Sequence, residues 1–115
     1  MTKNKRGRIL KLTERIAKKI DSLGYATLAD ACEIVEMIDK LEDYLMDYKA
    51  YSTKFKEDVR YLRYLVRSIV STEPNTQKYY KKSTIEAIEI LVNKLDILTT
   101  KELEVEDEYI RERSI

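Results

Sequence analysis

The sequence predicts an all-α protein, a single domain built as an antiparallel bundle of four to five helices. Two glycines and one proline among 115 residues leave few positions for tight turns, and residues that favour helices are abundant. Apolar residues recur at steps of three and four positions along most of the chain, as one face of a helix requires. The charge changes sign in blocks, basic over residues 1–20 and 51–82 and acidic over 21–50 and 83–115. Such blocks favour antiparallel packing, because each charged flank then faces its complement.

The first helix is predicted over about residues 8–22, after a flexible basic arm at residues 1–7. Gly24 is expected to end it, since glycine often stands just beyond the last turn of a helix. One face of this helix is apolar and should be buried. It carries Ile9, Leu12, Ile16, Ile20 and Leu23.

The segment 28–70 has the most regular pattern in the chain. Thr27 followed by Asp30 predicts a capping box at its start. Beyond it, twelve positions alternate steps of three and four, and eleven of them are apolar or aromatic: Ala31, Ile34, Ile38, Leu41, Leu45, Tyr48, Ser52, Phe55, Val59, Leu62, Val66 and Ile69. Two structures fit this seam, a coiled-coil-like helix of about 43 residues or a helical hairpin bent near residues 50–53. Lys54 and Lys56 would lie unfavourably at the positive end of a new helix, which favours the single helix.

A single helix over 28–70 would need a partner. It would span about 65 Å, more than a monomeric domain of this size can cover. The pattern therefore predicts a homodimer, in which the acidic half of one copy faces the basic half of the other across a two-fold axis. The expected interface is Ile34, Ile38, Leu41, Leu45, Tyr48, Ser52, Phe55, Val59, Leu62 and Val66. A monomeric four-helix bundle with solvated charges is the alternative.

Pro74 predicts a turn after this segment, because proline restricts the residue before it and cannot continue a helix ladder. The next helix is predicted over about residues 83–98, where Ser83 and Glu86 form a second capping-box pattern. Thr99 and Glu102 form a third. An acidic helix or tail at residues 100–115 is expected to finish the chain.

Basic residues in two parts of the chain form a candidate nucleic-acid-binding set. In the first helix they recur at helical spacing, and in the run 60–67 arginines alternate with tyrosines, which can hold phosphates and stack on unpaired bases. The set is Lys3, Lys5, Arg6, Arg8, Lys11, Arg15, Lys18, Arg60, Arg63, Tyr64 and Arg67. Residues 78–82 form a further basic, aromatic cluster. The alternatives are a solvated basic face, pairing with the acidic second segment, and core packing of Tyr61 and Tyr64.

The residue content gives little support for catalysis. The chain has no histidine for proton transfer, and its single cysteine, Cys32, has no histidine to activate it. The acidic residues Glu33, Glu36, Asp39, Glu86 and Glu89 resemble the carboxylate spacing of helical metal-dependent nucleotide pyrophosphatases, which hold magnesium between two helices. Lys40 lies four residues after Glu36, however, as in an ordinary surface ion pair. We expect no enzymatic activity and no cofactor.

The sequence thus favours a non-enzymatic interaction or assembly protein. It would act through homo-oligomerisation and contacts with itself or another protein. The alternative is a nucleic-acid-binding protein that uses the first helix and the face of residues 60–67. A lone cysteine indicates a reducing compartment, and no apolar run reaches the length of a membrane span. We therefore expect a cytoplasmic protein without membrane contacts.

Overall fold

The computed structural model describes residues 2–48, 50–70 and 73–97, with side chains from Arg6 onward. This part of the chain folds as an all-α bundle, which confirms the predicted fold class. Its four helices are α1 (Thr2–Ser22), α2 (Leu28–Met46), α3 (Lys56–Val70) and α4 (Pro74–Ile97). A π-helical turn, Tyr51–Phe55, leads directly into α3. None of the helices in these ranges is long and apolar enough to cross a membrane.

Each helix packs antiparallel against two neighbours. The contacts join α1 to α2, α2 to α3, α3 to α4, and α4 back to α1, so α1 lies diagonally opposite α3. Salt bridges fix the directions: Arg6 near the start of α1 reaches Asp96 near the end of α4 at 2.6 Å, and Lys94 reaches Asp58 near the start of α3 at 2.8 Å. The chain therefore forms a closed up-down-up-down bundle.

The predicted apolar face of α1 is buried. Ile9, Leu12, Ile16 and Ile20 all lie in the core, where burial of each such side chain contributes roughly 1.5–3 kcal/mol. The helix begins at Thr2, six residues before the predicted start, so the segment expected as a flexible arm has a helical backbone from residue 2 onward. It ends at Ser22 as predicted, but Gly24 has no positive φ.

A carbonyl group just after α1 is hydrogen-bonded by a side chain of α4 and not by a glycine turn. Lys81 of α4 donates a hydrogen bond from its Nζ to the carbonyl oxygen of Leu23 at 2.8 Å. Gln77, also in α4, binds the backbone of Ala26 in the loop after α1. Its side chain accepts from the N–H of Ala26 at 3.1 Å and donates to the carbonyl oxygen of Ala26 at 3.3 Å. Both partners are buried, so α4 positions the α1–α2 loop by satisfying its backbone groups.

Residues 28–70 form the helical hairpin, and the preference for a single helix was wrong. The capping box of Thr27 and Asp30 is confirmed at the start of α2. The chain then reverses between Met46 and Tyr51. The two halves of the seam pack against each other, because a seam with the same spacing can be buried equally well by folding back on itself.

The predicted dimer interface lies inside the chain. Nine of its ten residues are buried in the single-chain core: Ile34, Ile38, Leu41, Leu45, Tyr48, Phe55, Val59, Leu62 and Val66. Ser52 is exposed. It lies in the π-helical turn, where the backbone N–H of Lys56 bonds to the carbonyl oxygen of Tyr51, five residues earlier. This wider turn changes the phase of the helix. Folded copies therefore cannot associate through these residues without opening the bundle.

The last described helix begins nine residues before the predicted start. Pro74 is its first residue, a position where proline is favoured because that N–H has no helical partner. The carbonyl oxygen of Glu73 accepts from the N–H groups of Thr76 and Gln77, both at 2.9 Å. Ser83 lies within the helix, so the second capping box does not mark a start. The third capping-box pattern and the acidic segment 100–115 lie outside the described residues.

Candidate interaction surfaces

Arg63 belongs to a network that ties α2 to α3. Its guanidinium donates to Asp39 at 2.7 and 3.2 Å and to Glu42 at 2.7 and 3.2 Å. Tyr51 donates its hydroxyl to Oε2 of Glu42 at 2.6 Å, the oxygen that also accepts from Nη1 of Arg63. Arg63 would therefore have to leave these carboxylates in order to bind a nucleic-acid phosphate, as the candidate set requires.

The pKa values within this network follow from the same contacts. The hydrogen bonds from Arg63 lower the pKa of Glu42, since they favour its charged form. Burial, followed by the hydrogen bond to Glu42, raises the pKa of Tyr51 to about 12. The network is therefore fully formed at neutral pH, with a charged Glu42 and a protonated Tyr51.

The remaining arginines and tyrosines of the 60–67 run lie on the outside of α3. Arg60, Tyr64 and Arg67 are exposed, and Arg60 lies 3.5 Å from Glu57. Tyr61 and Tyr64 are also half or more exposed, at 51% and 58%. Their rings stack with centroids 6.3 Å apart and planes 16° from parallel. Core packing of these two tyrosines, one of the sequence-based alternatives, is therefore wrong.

A groove between α3 and α4 extends this aromatic surface. Tyr61 forms one wall and Tyr79 the other, and the groove encloses about 290 Å³. Ile90 also lines it, and Tyr79 and Ile90 are 66% and 55% exposed. We call Tyr61, Tyr64, Tyr79 and Ile90 the tyrosine surface. Sequence reasoning identified the basic, aromatic cluster around Tyr79 but missed Ile90, because its exposure depends on how α4 is rotated against its neighbours.

The basic residues of α1 form a separate surface. Arg8, Lys11, Arg15 and Lys18 are all exposed, and we call them the α1 basic face. Lys18 lies 3.4 Å from Glu14, whereas the other three have no salt-bridge partner within the described residues. Since α1 and α3 are diagonally opposite, the bundle separates this face from Arg60 and Arg67. The candidate set is therefore divided between two sides of the molecule.

Three further members of that set are not included in the α1 basic face. Arg6 is only partly exposed and is held by Asp96 at 2.6 Å. The side chains of Lys3 and Lys5 lie outside the described part of the structure. Exposed cations on α1 are thus fewer than the sequence predicts, since Asp96 of α4 neutralises Arg6.

The acidic residues that resembled a magnesium site are not brought together. Glu33, Glu36 and Asp39 lie on α2, whereas Glu86 and Glu89 lie on α4, diagonally across the bundle. Among the described residues, no three histidine, cysteine or carboxylate side chains are grouped so that they could hold a metal ion. Cys32 is exposed on α2.

Comparisons of this chain with protein-family models, with curated proteins and with solved structures gave no match. The class to which the chain belongs is therefore defined by its architecture, an all-α four-helix bundle. Its function has to be argued from the two surfaces described above.

Proposed function

We propose that this chain is a non-enzymatic helical-bundle protein that acts by binding another protein through the tyrosine surface. The observation that carries the proposal is the exposure of four large apolar side chains on one continuous face. Tyr61 stacks on Tyr64 and shares a groove with Tyr79 and Ile90. Contiguous apolar surface of this kind is unfavourable in water and is characteristic of interaction sites.

The residue types also support a protein partner. Tyrosine and arginine are enriched among residues that dominate binding energy at protein interfaces, and Arg60 and Arg67 lie one helical turn on either side of Tyr64. Tyrosine gives a large contact area at little cost in conformational entropy. The groove has one wall from each helix, so a third helix can lie in it. We propose a partner helix with an apolar stripe and carboxylates along the flank that faces the arginines.

The location we propose is the cytoplasm, which the single cysteine supports because the chain cannot form an internal disulfide bond. A second copy of the chain could also occupy the tyrosine surface. In that case the solution mass would double, and substitution of the tyrosines would restore the monomer.

The proposal is tested with a designed helical peptide that carries leucine and phenylalanine on one face and glutamates along one flank. We expect it to bind the native chain in isothermal titration. Tyr61→Ser with Tyr79→Ser should weaken binding by about 10- to 30-fold, as loss of interface anchors does. The fold should be unaffected, because both side chains are largely exposed.

Two controls make this experiment decisive. Tyr25→Ser removes a tyrosine that is 64% exposed in the α1–α2 loop, and it should leave the affinity unchanged. A peptide with lysines in place of the glutamates should bind more weakly, because Arg60 and Arg67 would repel it. Equal affinities for the native chain and the double tyrosine variant would contradict the proposal.

A second candidate function is nucleic-acid binding through the α1 basic face. The observation that favours it is that Arg8, Lys11 and Arg15 are exposed together without carboxylate partners in the described ranges. Such cations attract phosphates irrespective of base sequence, and each phosphate contact releases a counterion. Three to four contacts would make the affinity fall roughly 40- to 150-fold between 50 and 200 mM salt.

Fluorescence anisotropy with a short random duplex tests this candidate. Lys11→Glu with Arg15→Glu should abolish salt-sensitive binding. The matched control is Lys40→Glu with Lys56→Glu, which changes the net charge equally at exposed positions of α2 and α3. If the native chain does not bind at low salt, or if both pairs of substitutions weaken binding equally, the α1 basic face is not a nucleic-acid site.

A further inference from the structure

The reversal between α2 and α3 is short, and the described residues that flank it are close to helical conformation. Asp47 (φ −70°, ψ −20°) and Ala50 (φ −77°, ψ −2°) both have right-handed helical dihedrals, and helical structure resumes at Tyr51. Helix-like hydrogen bonds continue through the turn: the N–H of Tyr51 donates to the carbonyl oxygen of Tyr48 at 3.1 Å, and that of Lys54 to Ala50 at 2.9 Å.

The turn contains no residue type that would prevent a helix from continuing through it. There is neither glycine nor proline between Gly24 and Pro74, and no described residue has a positive φ. Hairpin connections usually contain such residues, because they fix a reversal that other residues make less readily. A straight helix through residues 47–50 is therefore compatible with every residue there.

The apolar seam continues through the turn without a change of spacing. Leu45, Tyr48, Ser52 and Phe55 keep steps of three and four, so a regular α-helix in place of the turn and of the π-helical residues would put the seam residues of α2 and α3 on one stripe. The α3–α4 pair would then leave the α1–α2 pair of its own chain. A second copy can supply the missing half, and the α2–α3 and α1–α4 contacts would be formed again between chains.

We propose that the chain also assembles as a domain-swapped dimer. In this dimer residues 28–70 form one helix, and the α1–α2 pair of each copy packs on the α3–α4 pair of the other. Arg63 of one copy then binds Asp39 and Glu42 of its partner. This proposal does not depend on the tyrosine surface, which lies entirely within one α3–α4 pair and is kept in both forms.

The test uses two variants with reversed charges, the first Arg63→Glu and the second Asp39→Arg with Glu42→Arg. Within a monomer, each variant places like charges where the native chain has salt bridges of 2.7 Å. In a swapped heterodimer, every substituted position faces an opposite charge on the other chain. The two variants are unfolded, mixed in equal amounts, refolded and analysed by native mass spectrometry.

We expect a heterodimer of about twice 13.6 kDa to predominate in the mixture and to be more heat-stable than either variant alone. A mixture that contains only the two separate species would overturn the proposal. Adding Tyr61→Ser and Tyr79→Ser to both variants should leave the heterodimer intact. Its loss would show instead that the chains associate through the tyrosine surface.

The native chain provides a second, independent measurement. Lys49→Gly should weaken the dimer by about 30-fold relative to Lys49→Ala, because glycine disfavours the straight helix once in each chain. Light scattering over a range of protein concentrations gives the two dissociation constants. Equal constants for the glycine and alanine variants would show that residue 49 is not in a helix in the dimer and would refute the swapped form.

Discussion

Arg63 shows how neighbours decide the role of a residue. In the sequence it is one of several arginines spaced among tyrosines, and this spacing groups it with Arg60 and Arg67. In the structure its guanidinium holds two carboxylates of α2, whereas Arg67, four residues later, is exposed. A bidentate arginine between carboxylates is worth more than an exposed ion pair, because its geometry is fixed and its surroundings are partly dehydrated.

Arg63→Ala should lower the free energy of unfolding by about 1–2 kcal/mol, the range for a partly exposed, multiply bonded arginine. Stability is lost because Glu42 and Tyr51 stay partly buried, while Glu42 no longer has a positive charge beside it. Chemical denaturation measures the loss. Arg67→Ala is the control and should change the stability by less than about 0.5 kcal/mol. Similar losses for both variants would show that the network adds nothing to stability.

The same network predicts a pH dependence at alkaline pH. The pKa of Tyr51 is raised from 10.0 to about 12 in the folded chain. Its contribution to stability is therefore complete below pH 10 and is lost as the pH rises from 10 to 12. The difference in tyrosinate absorbance between the native chain and Tyr51→Phe should titrate near pH 12. Titration of this difference near pH 10 would mean that the hydroxyl is not held by Glu42.

At the scale of the helix, α4 differs most from what its sequence suggested. Ser83 and Glu86 match a start signal, yet the helix extends back to Pro74. The earlier turns are stabilised by tertiary contacts, because Gln77 and Lys81 both bind the loop that follows α1. Local signals of helix starts have no access to such contacts, since the partner residues are more than fifty positions away.

Lys82→Pro distinguishes a helix that starts at Ser83 from one that starts at Pro74. If the helix began at Ser83, residue 82 would precede it and proline would be tolerated. Within a helix that begins at Pro74, proline removes a hydrogen bond and clashes with the preceding turn, at a cost of about 3 kcal/mol or more. Thermal unfolding followed by circular dichroism gives the difference from Lys82→Ala, in which the same exposed side chain is shortened. Equal stability of these two variants would place the helix start at Ser83.

At the scale of the whole molecule, salt bridges join every pair of neighbouring helices. Lys19 binds Glu33 between α1 and α2, Arg63 joins α2 to α3, Lys94 joins α4 to α3, and Arg6 joins α1 to α4. Three of these pairs join a basic block to an acidic one, as the charge blocks predicted, whereas Lys94 and Asp58 each carry the charge opposite to that of their own block. The core they surround is continuous over all four helices, so the bundle should unfold as one unit.

Leu62→Ala tests this cooperativity. Leu62 is fully buried, and its truncation should cost about 2–5 kcal/mol because it leaves a cavity. Circular dichroism and the fluorescence of the nine tyrosines should give coincident transitions that shift together. The neighbouring Tyr61→Ala should cost much less, since its side chain is half exposed. Two separate transitions would show that the hairpins unfold independently.

The sequence by itself determined the helical class, the buried face of α1 and most of the buried seam of 28–70, because apolar periodicity reports which side of a helix leaves water. It also determined the capping box at Thr27, because that motif is local. Only the tertiary structure decided whether the seam at 28–70 closes within one chain, where α4 begins, and which cations and tyrosines stay exposed. Each of these depends on residues distant in sequence, such as Glu42 with Arg63 or Gln77 with Ala26. Periodicity shows that a face is buried, but the partner that buries it is chosen by the packing of the whole bundle.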